Sequence, residues 1–239
     1  MIKCENLTKT FGGNHGIRGI DLEFLPGVIH GIVGYNGAGK TTLLNCVEGL
    51  LVPTSGAVFH NGIRTTDEKA FLPYRRRISF LPTYDFLYPN LTCGENLELA
   101  TILRTGKNKI SAETKKLASY FEVDGFWDKK FRDCSTGMKK KAQIVASLIG
   151  DVDTIVWDEP NDGIDIVSNL RIKNLLRHYR ERGATILLSS HVIEFMEGFV
   201  DRCVLLNEGA VAENGDLPAL GSLEKLFLKN LPPDAAAFG

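Results

Sequence analysis

The chain has no apolar run long enough to cross a bilayer. One of its most apolar stretches, residues 184–188, is far shorter than the roughly 20 residues that a membrane helix needs. The N-terminal sequence MIKCENLTK lacks the apolar core and cleavage site of a secretory leader. There is no CxxC pair and no Cys/His cluster. The five cysteines (Cys4, Cys46, Cys93, Cys134 and Cys203) are scattered and odd in number, which argues against a zinc site and a disulfide framework. Net charge is nearly absent as well: 28 Lys and Arg against 29 Asp and Glu leave −1, so no strong overall field draws the chain to nucleic acid, and no nucleic-acid partner is expected. Internal repeats and low-complexity tracts are missing. A cytosolic chain is the expectation, and any work at a membrane requires another protein to hold it there.

What is present fits a soluble globular protein. Apolar residues make up 44% and charged residues 24% of 239, enough for one large domain. The first 30 residues alternate short apolar pieces with turn residues and read as strands and hairpins. Residues 28–33 form a compact apolar run, followed by a glycine-rich loop and a helix over about 41–50. Residues 53–62 read as turn, strand and turn. From about 87 to 150 the pattern changes to helical spacing with few β-branched runs, which predicts a mostly helical subdomain. Strand character returns at 154–157, helix at about 167–182, strand at 184–189 and helix after His191; residues 203–213 read as a hairpin. Strands alternating with helices predict an α/β fold with a mainly parallel sheet covered on both faces. The tail, 231–239, with two prolines and three alanines, is expected to be poorly ordered.

Residues 34–41, GYNGAGKT, fit GxxxxGK[ST] between a predicted strand and a predicted helix. Glycines let the backbone wrap closely on phosphates with its N–H groups turned inward, and the following helix presents its positive end to the same anion. Lys40 supplies a mobile positive charge, and the Thr41 hydroxyl can ligate Mg²⁺. A chance match in a chain of this composition is on the order of 1%. The pattern predicts an ATP-binding P-loop lined by Asn36, Gly37, Ala38, Gly39, Lys40, Thr41 and Thr42.

Residues 154–160, TIVWDEP, read as a buried strand ending in two carboxylates. Opposite a P-loop, Asp158 can hold Mg²⁺ and Glu159 can orient and polarise the attacking water. A lone DEP after a strand would more often be a helix start; the P-loop changes that reading.

With these motifs in place, the chain resembles the ABC ATPase family, the nucleotide-binding domains of ABC transporters, along nearly its whole length. The resemblance rests on GYNGAGKTT (34–42), GLLVPTSGAVFHNG (49–62), LPTYDFLYPNLTCGENL (81–97), CSTGMKKKAQ (134–143), WDEPNDGID (157–165) and LLSSHVIE (187–194), in that order. It implies a P-loop core with mainly parallel sheet, an N-terminal antiparallel β subdomain and a helical subdomain carrying the signature, all within about 1–230. It also implies two ATPase domains, identical or different, that face each other head to tail around two ATP molecules. Ser135 and Gly137 would then meet the γ-phosphate held by the partner, His191 the γ-phosphate at the end of its strand, and Asp165 would bridge the pair. Phe11 stands where the family stacks an aromatic on adenine.

The sequence departs from the family pattern in a few places. Thr83 replaces the usual glutamine and is about two heavy atoms shorter, with Asp85 as a neighbouring carboxylate. Thr136 and Met138 alter the signature to STGM, a form similar to exporter-type members. Tyr35 replaces a proline on the P-loop, and Cys134 a leucine or tyrosine. Lys139–Lys141 reads either as a solvated helix face or as a complement to nucleotide. The resemblance implies the ATPase of a transporter that works on integral membrane permease subunits from the cytoplasmic face. The alternative is a soluble ABC ATPase acting on a protein or nucleic-acid machine. A P-loop GTPase or kinase fits less well, since an NKxD-like motif is absent.

Overall fold

The computed structural model describes residues 1–217 and 222–225, so the tail expected at 231–239 lies outside the described residues. In chain order, β1 (Ile2–Phe11) and β2 (Asn14–Phe24) form a hairpin. β3 (Val28–Val33) leads through the glycine-rich loop into α1 (Lys40–Glu48). β4 (Ser55–His60) and β5 (Ile63–Arg64) follow and complete a four-stranded antiparallel sheet in the order β2-β1-β4-β5. Next come α2 (Glu68–Arg75) and β6 (Ile78–Leu81), neither of which the sequence pattern predicted. Residues between β6 and the next strand carry α3 (Cys93–Thr105), α4 (Ala112–Tyr120), two short 3₁₀ turns and α5 (Thr136–Ser147). The chain continues through β7 (Thr154–Asp158), α6 (Ile166–Glu181), β8 (Thr185–Ser189), a single-turn α7 (Ile193–Met196), β9 (Arg202–Asn207) and β10 (Ala210–Asp216).

The second sheet has six strands in the order β10-β9-β3-β8-β7-β6, parallel except for the β9–β10 hairpin. Every residue of β7 and β8 is buried, which is why these strands read as continuous apolar runs rather than alternating ones. Alternate side chains serve two different cores. Ile155, Trp157, Ile186 and Leu188 pack with the helices of 93–149 and α6. Val156, Leu187 and Val204 pack with α1 and the antiparallel sheet. α6 buries Ser168, Ile172 and Leu176 at four-residue spacing, one face of a helix. α3 starts on a capping box, in which Thr92 accepts from the Glu95 amide and Glu95 from the Thr92 amide. The parallel core thus brings the carboxyl ends of β3, β7 and β8 side by side, the edge where parallel α/β sheets place ligands.

Candidate functional site

Between β3 and α1 the loop must turn tightly enough to aim its amides inward. Gly39 sits at φ 103°, where a side chain would be strained, and a Cβ there would run into the Gly16 carbonyl and Ile17. Lys40 is 7% exposed, and its ammonium lies within the loop, donating to the Gly34 carbonyl at 2.8 Å and the Tyr35 carbonyl at 3.3 Å. Asn36 and Gly37 are exposed at the rim, while Ala38 is buried. Phe11 is 49% exposed and borders the same loop: a Cβ on Gly16 would touch both its ring and the Thr42 methyl.

Across from the loop, the Thr41 hydroxyl donates to Asp158 Oδ2 at 2.6 Å. Asp158 is 2% exposed, and its other oxygen accepts from the Ser189 hydroxyl. Ser189 also accepts from the Glu159 amide at 3.0 Å. β7 and β8 pair in a register that sets Asp158 opposite Ser189, so the contact is a consequence of sheet alignment. Glu159 adopts φ 50°, a left-handed conformation that costs on the order of 1 kcal/mol for a residue with a side chain. Its carboxylate lies 3.9 Å from the Lys40 ammonium and 2.9 Å from His191 Nδ1. Lys40, Thr41, Asp158, Glu159 and His191, expected together, are together. Ser189 was not anticipated.

The signature segment is arranged differently. Ser135 caps α5 by accepting from the Met138 amide at 3.3 Å. No hydrogen bond or ion pair among the described residues joins Ser135 or Gly137 to the chain's own loop 34–42. Gly137 instead faces the 162–165 turn, with a Cβ there coming 3.3 Å from the Gly163 carbonyl. Asp165 caps α6, accepting from the Ser168 amide and hydroxyl, both at 2.8 Å. These bonds, with Lys141 at 3.6 Å, hold its pKa down at about 2.

The three lysines that follow have three separate fates. Lys139 donates to Asp85 at 2.8 Å, and Lys141 to Glu122 at 2.9 Å. Lys140 is buried and reaches the Glu159 carbonyl at 3.4 Å. Burial pulls its pKa down, opposed by the charges of Asp162, Asp158, Asp85 and Glu159. The run is therefore not simply a solvated helix face. Asp85 accepts a second bond from Gln143 at 3.0 Å, and Gln143 accepts from the Phe86 amide at 3.3 Å. Thr83 is exposed between this network and β6.

The residues fit Mg²⁺ beside a triphosphate. A hydroxyl and a carboxylate already within hydrogen-bonding distance form a hard oxygen pair, and Mg²⁺ typically takes one or two protein oxygens with the rest from phosphate and water. No cluster of three His, Cys, Asp or Glu that could hold a metal by itself exists among the described residues. Nor is any described helix long and apolar enough to cross a membrane.

A family model described as "ABC transporter" matches residues 17–162. The ABC transporter ATP-binding protein NatA of Bacillus subtilis is 30% identical over 210 residues, covering 87% of this chain and 85% of its own length. The bacitracin transport ATP-binding protein BcrA of Enterococcus faecalis is 34% identical over 224 residues, covering 92% and 70%. Among solved structures, a dimeric ATP-binding cassette in a post-hydrolysis state bound to ADP and Pi superposes with a TM-score of 0.82 at 28% identity, covering 91% of this chain and 99% of that one.

Proposed function

This chain belongs to the ABC transporter family, and from that membership we propose how its residues divide the work. It is an ATP-binding and ATP-hydrolysing subunit of an ABC transporter. In our reading the amides of 36–42 and the Lys40 ammonium take the triphosphate, with Phe11 stacked on adenine. Thr41 and Asp158 would hold Mg²⁺, which when bound offsets the charge on the phosphate oxygens. Glu159 orients and polarises the attacking water, and His191 keeps that carboxylate aimed while reaching toward the γ-phosphate. Ser135 and Gly137 serve the nucleotide of a second ATPase domain, the same chain or a homologous one. The absence of any bond between the start of α5 and the chain's own loop among the described residues supports this reading. Asp165 would lie at the junction of the pair.

The partners we infer are integral membrane permease subunits, which would hold the chain on the cytoplasmic face. Tyr84 and Tyr88, 61% and 57% exposed on the loop after β6, offer the apolar contact such a partner needs. The ATPase domain would span 1–230, with a helical subdomain at about 87–150. We assign export from the STGM form of the signature.

The observation that carries this reading is the convergence of side chains from positions 40, 41, 158, 159 and 191 on one edge of the sheet. Calorimetric titration with Mg-ATP should give binding by the parent and none by Lys40→Ala. Equal binding by the two would sink the phosphate-site assignment. Purified from solubilised membranes, the chain should bring down a permease; recovery of soluble partners alone would remove the transport role.

A further inference from the structure

A cavity of about 850 Å³ lies at the ends of the strands opposite the nucleotide site. Arg77 just before β6, Val152 just before β7 and Arg182 just before β8 line it, together with the facing sides of α3, α4 and α6. β7 is five residues long, so the cavity is separated from Asp158 by roughly 16 Å of extended strand. It shares no residue with the nucleotide site described above.

Its charge is out of proportion to the chain's composition. Seven lysines and arginines line it, a quarter of the 28 in the sequence, against two of the 29 carboxylates, Glu113 and Asp151. Arg77 is committed to Asp151 at 3.7 Å and Asp153 at 2.9 Å. Arg104 is held by backbone carbonyls, Ile149 at 2.7 Å, Ile78 at 3.0 Å and Arg76 at 3.2 Å, and no carboxylate touches it. Burial pulls the Arg104 pKa down, opposed by the charge of Glu48, and an anion in the cavity would act in the same direction as that carboxylate. Arg76, Lys107, Lys109, Lys116 and Arg182 form no ion pair among the described residues. The first turn of α4, capped by Ser111, opens onto the same space and adds its positive end.

The lining is also apolar. Leu117, Leu148, Ile149, Leu175 and Tyr179 contribute to it, with Leu148 and Ile149 buried. Convergent charges over an apolar lining are the ordinary composition of a small-molecule site, and the volume lies within the range of about 300–1,000 Å³ that such sites occupy. A purely solvated cluster of lysines would have no apolar lining, and a packing defect would not gather seven cations.

We propose that this cavity is a second binding site, distinct from the nucleotide site, for a single amphipathic phosphate-bearing small molecule. Its phosphate would sit among Arg76, Lys107, Lys109 and Lys116, and its apolar body against Leu117, Leu175 and Tyr179. An occupant would touch α4 and α6 at once.

Anilinonaphthalene sulfonate, an anionic head on an apolar aromatic body, is a suitable reporter for the purified chain. Its fluorescence should rise saturably with one site per chain. Lys107→Glu, Lys109→Glu and Lys116→Glu together should weaken that binding by about tenfold or more, since three exposed charges are reversed. Mg-ATP affinity and thermal melting of this triple variant should match the parent, because all three side chains are exposed. Saturating Mg-ATP and the Lys40→Ala variant should each leave the reporter's affinity unchanged. Monomeric decyl phosphate should displace the reporter at much lower concentration than inorganic pyrophosphate. Displacement by Mg-ATP, undiminished binding to the triple variant, equal potency of pyrophosphate, or a response to anionic lipid vesicles but not to monomeric decyl phosphate would each overturn the proposal.

Discussion

His191 meets Glu159 twice, its backbone amide lying 3.2 Å and its Nδ1 2.9 Å from the same carboxylate oxygen. The other carboxylate oxygen lies 3.9 Å from the Lys40 ammonium. A carboxylate contacted at both oxygens presents one orientation rather than several, which is the condition that the base role proposed for Glu159 requires.

His191→Ala removes one of those restraints while leaving the loop that receives ATP intact. Turnover should fall by about 100-fold, the usual cost of a misplaced catalytic group, with Mg-ATP affinity by calorimetry close to the parent's. Glu159→Gln should abolish turnover and still retain ATP. Turnover within a few fold of the parent in Glu159→Gln would show that another group handles the water.

Ser189→Ala strips a donor from Asp158 and an acceptor from the Glu159 amide. Leaving buried polar groups unpaired costs about 1–3 kcal/mol, so urea unfolding should report a loss of about 2 kcal/mol. More Mg²⁺ should be needed to reach half-maximal ATPase activity. If stability and Mg²⁺ requirement both matched the parent, the hydroxyl would have no structural part in the acidic pair.

Lys140 places a buried ammonium under the influence of Asp162, Asp158, Asp85 and Glu159. In Lys140→Met that charge is gone, and the site should hold Mg²⁺ more tightly, lowering the half-saturating concentration by about threefold or more. The maximal rate should drop, and Lys140→Arg should restore both quantities towards the parent's. Identical Mg²⁺ titrations for Met and parent would contradict the electrostatic role.

His30 and His60 are buried at 1% and 3% exposure, and burial pushes both pKa values down to about 4. The folded protein therefore favours the neutral rings, whereas the unfolded chain takes up protons below its pKa of about 6.5. Their contribution is complete above about pH 6.5 and is lost as pH falls from there to about 4, by at most roughly 3 kcal/mol per ring. Urea midpoints should decline across that window. A level profile from about pH 7 to about pH 4.5 would rule the coupling out.

The parts of the site legible in the sequence were those that are local in the chain. The P-loop needs only eight consecutive residues, and the acidic pair announces itself at the end of an unbroken apolar run. Ser189 was hidden because its role depends on the register of β7 against β8, a pairing across 31 residues that no single-sequence pattern specifies. β6 escaped notice because it is four residues long and follows three arginines, and α2 because Pro73 sits inside it. The lysine run was ambiguous for a geometric reason. Successive residues on a helix point about 100° apart, so three identical side chains reached Asp85, the Glu159 carbonyl and Glu122.

The double attachment of Asp85 to Lys139 and Gln143 spans one full turn of α5. Segment 83–86 and that helix are thereby coupled as a mechanical linkage. A contact made at the exposed Tyr84 ring would therefore be felt first at the N-terminal half of α5, whose first residue follows the Ser135 cap. Two anchors one turn apart fix the orientation of segment 83–86 against the helix, where one anchor would leave it free to pivot.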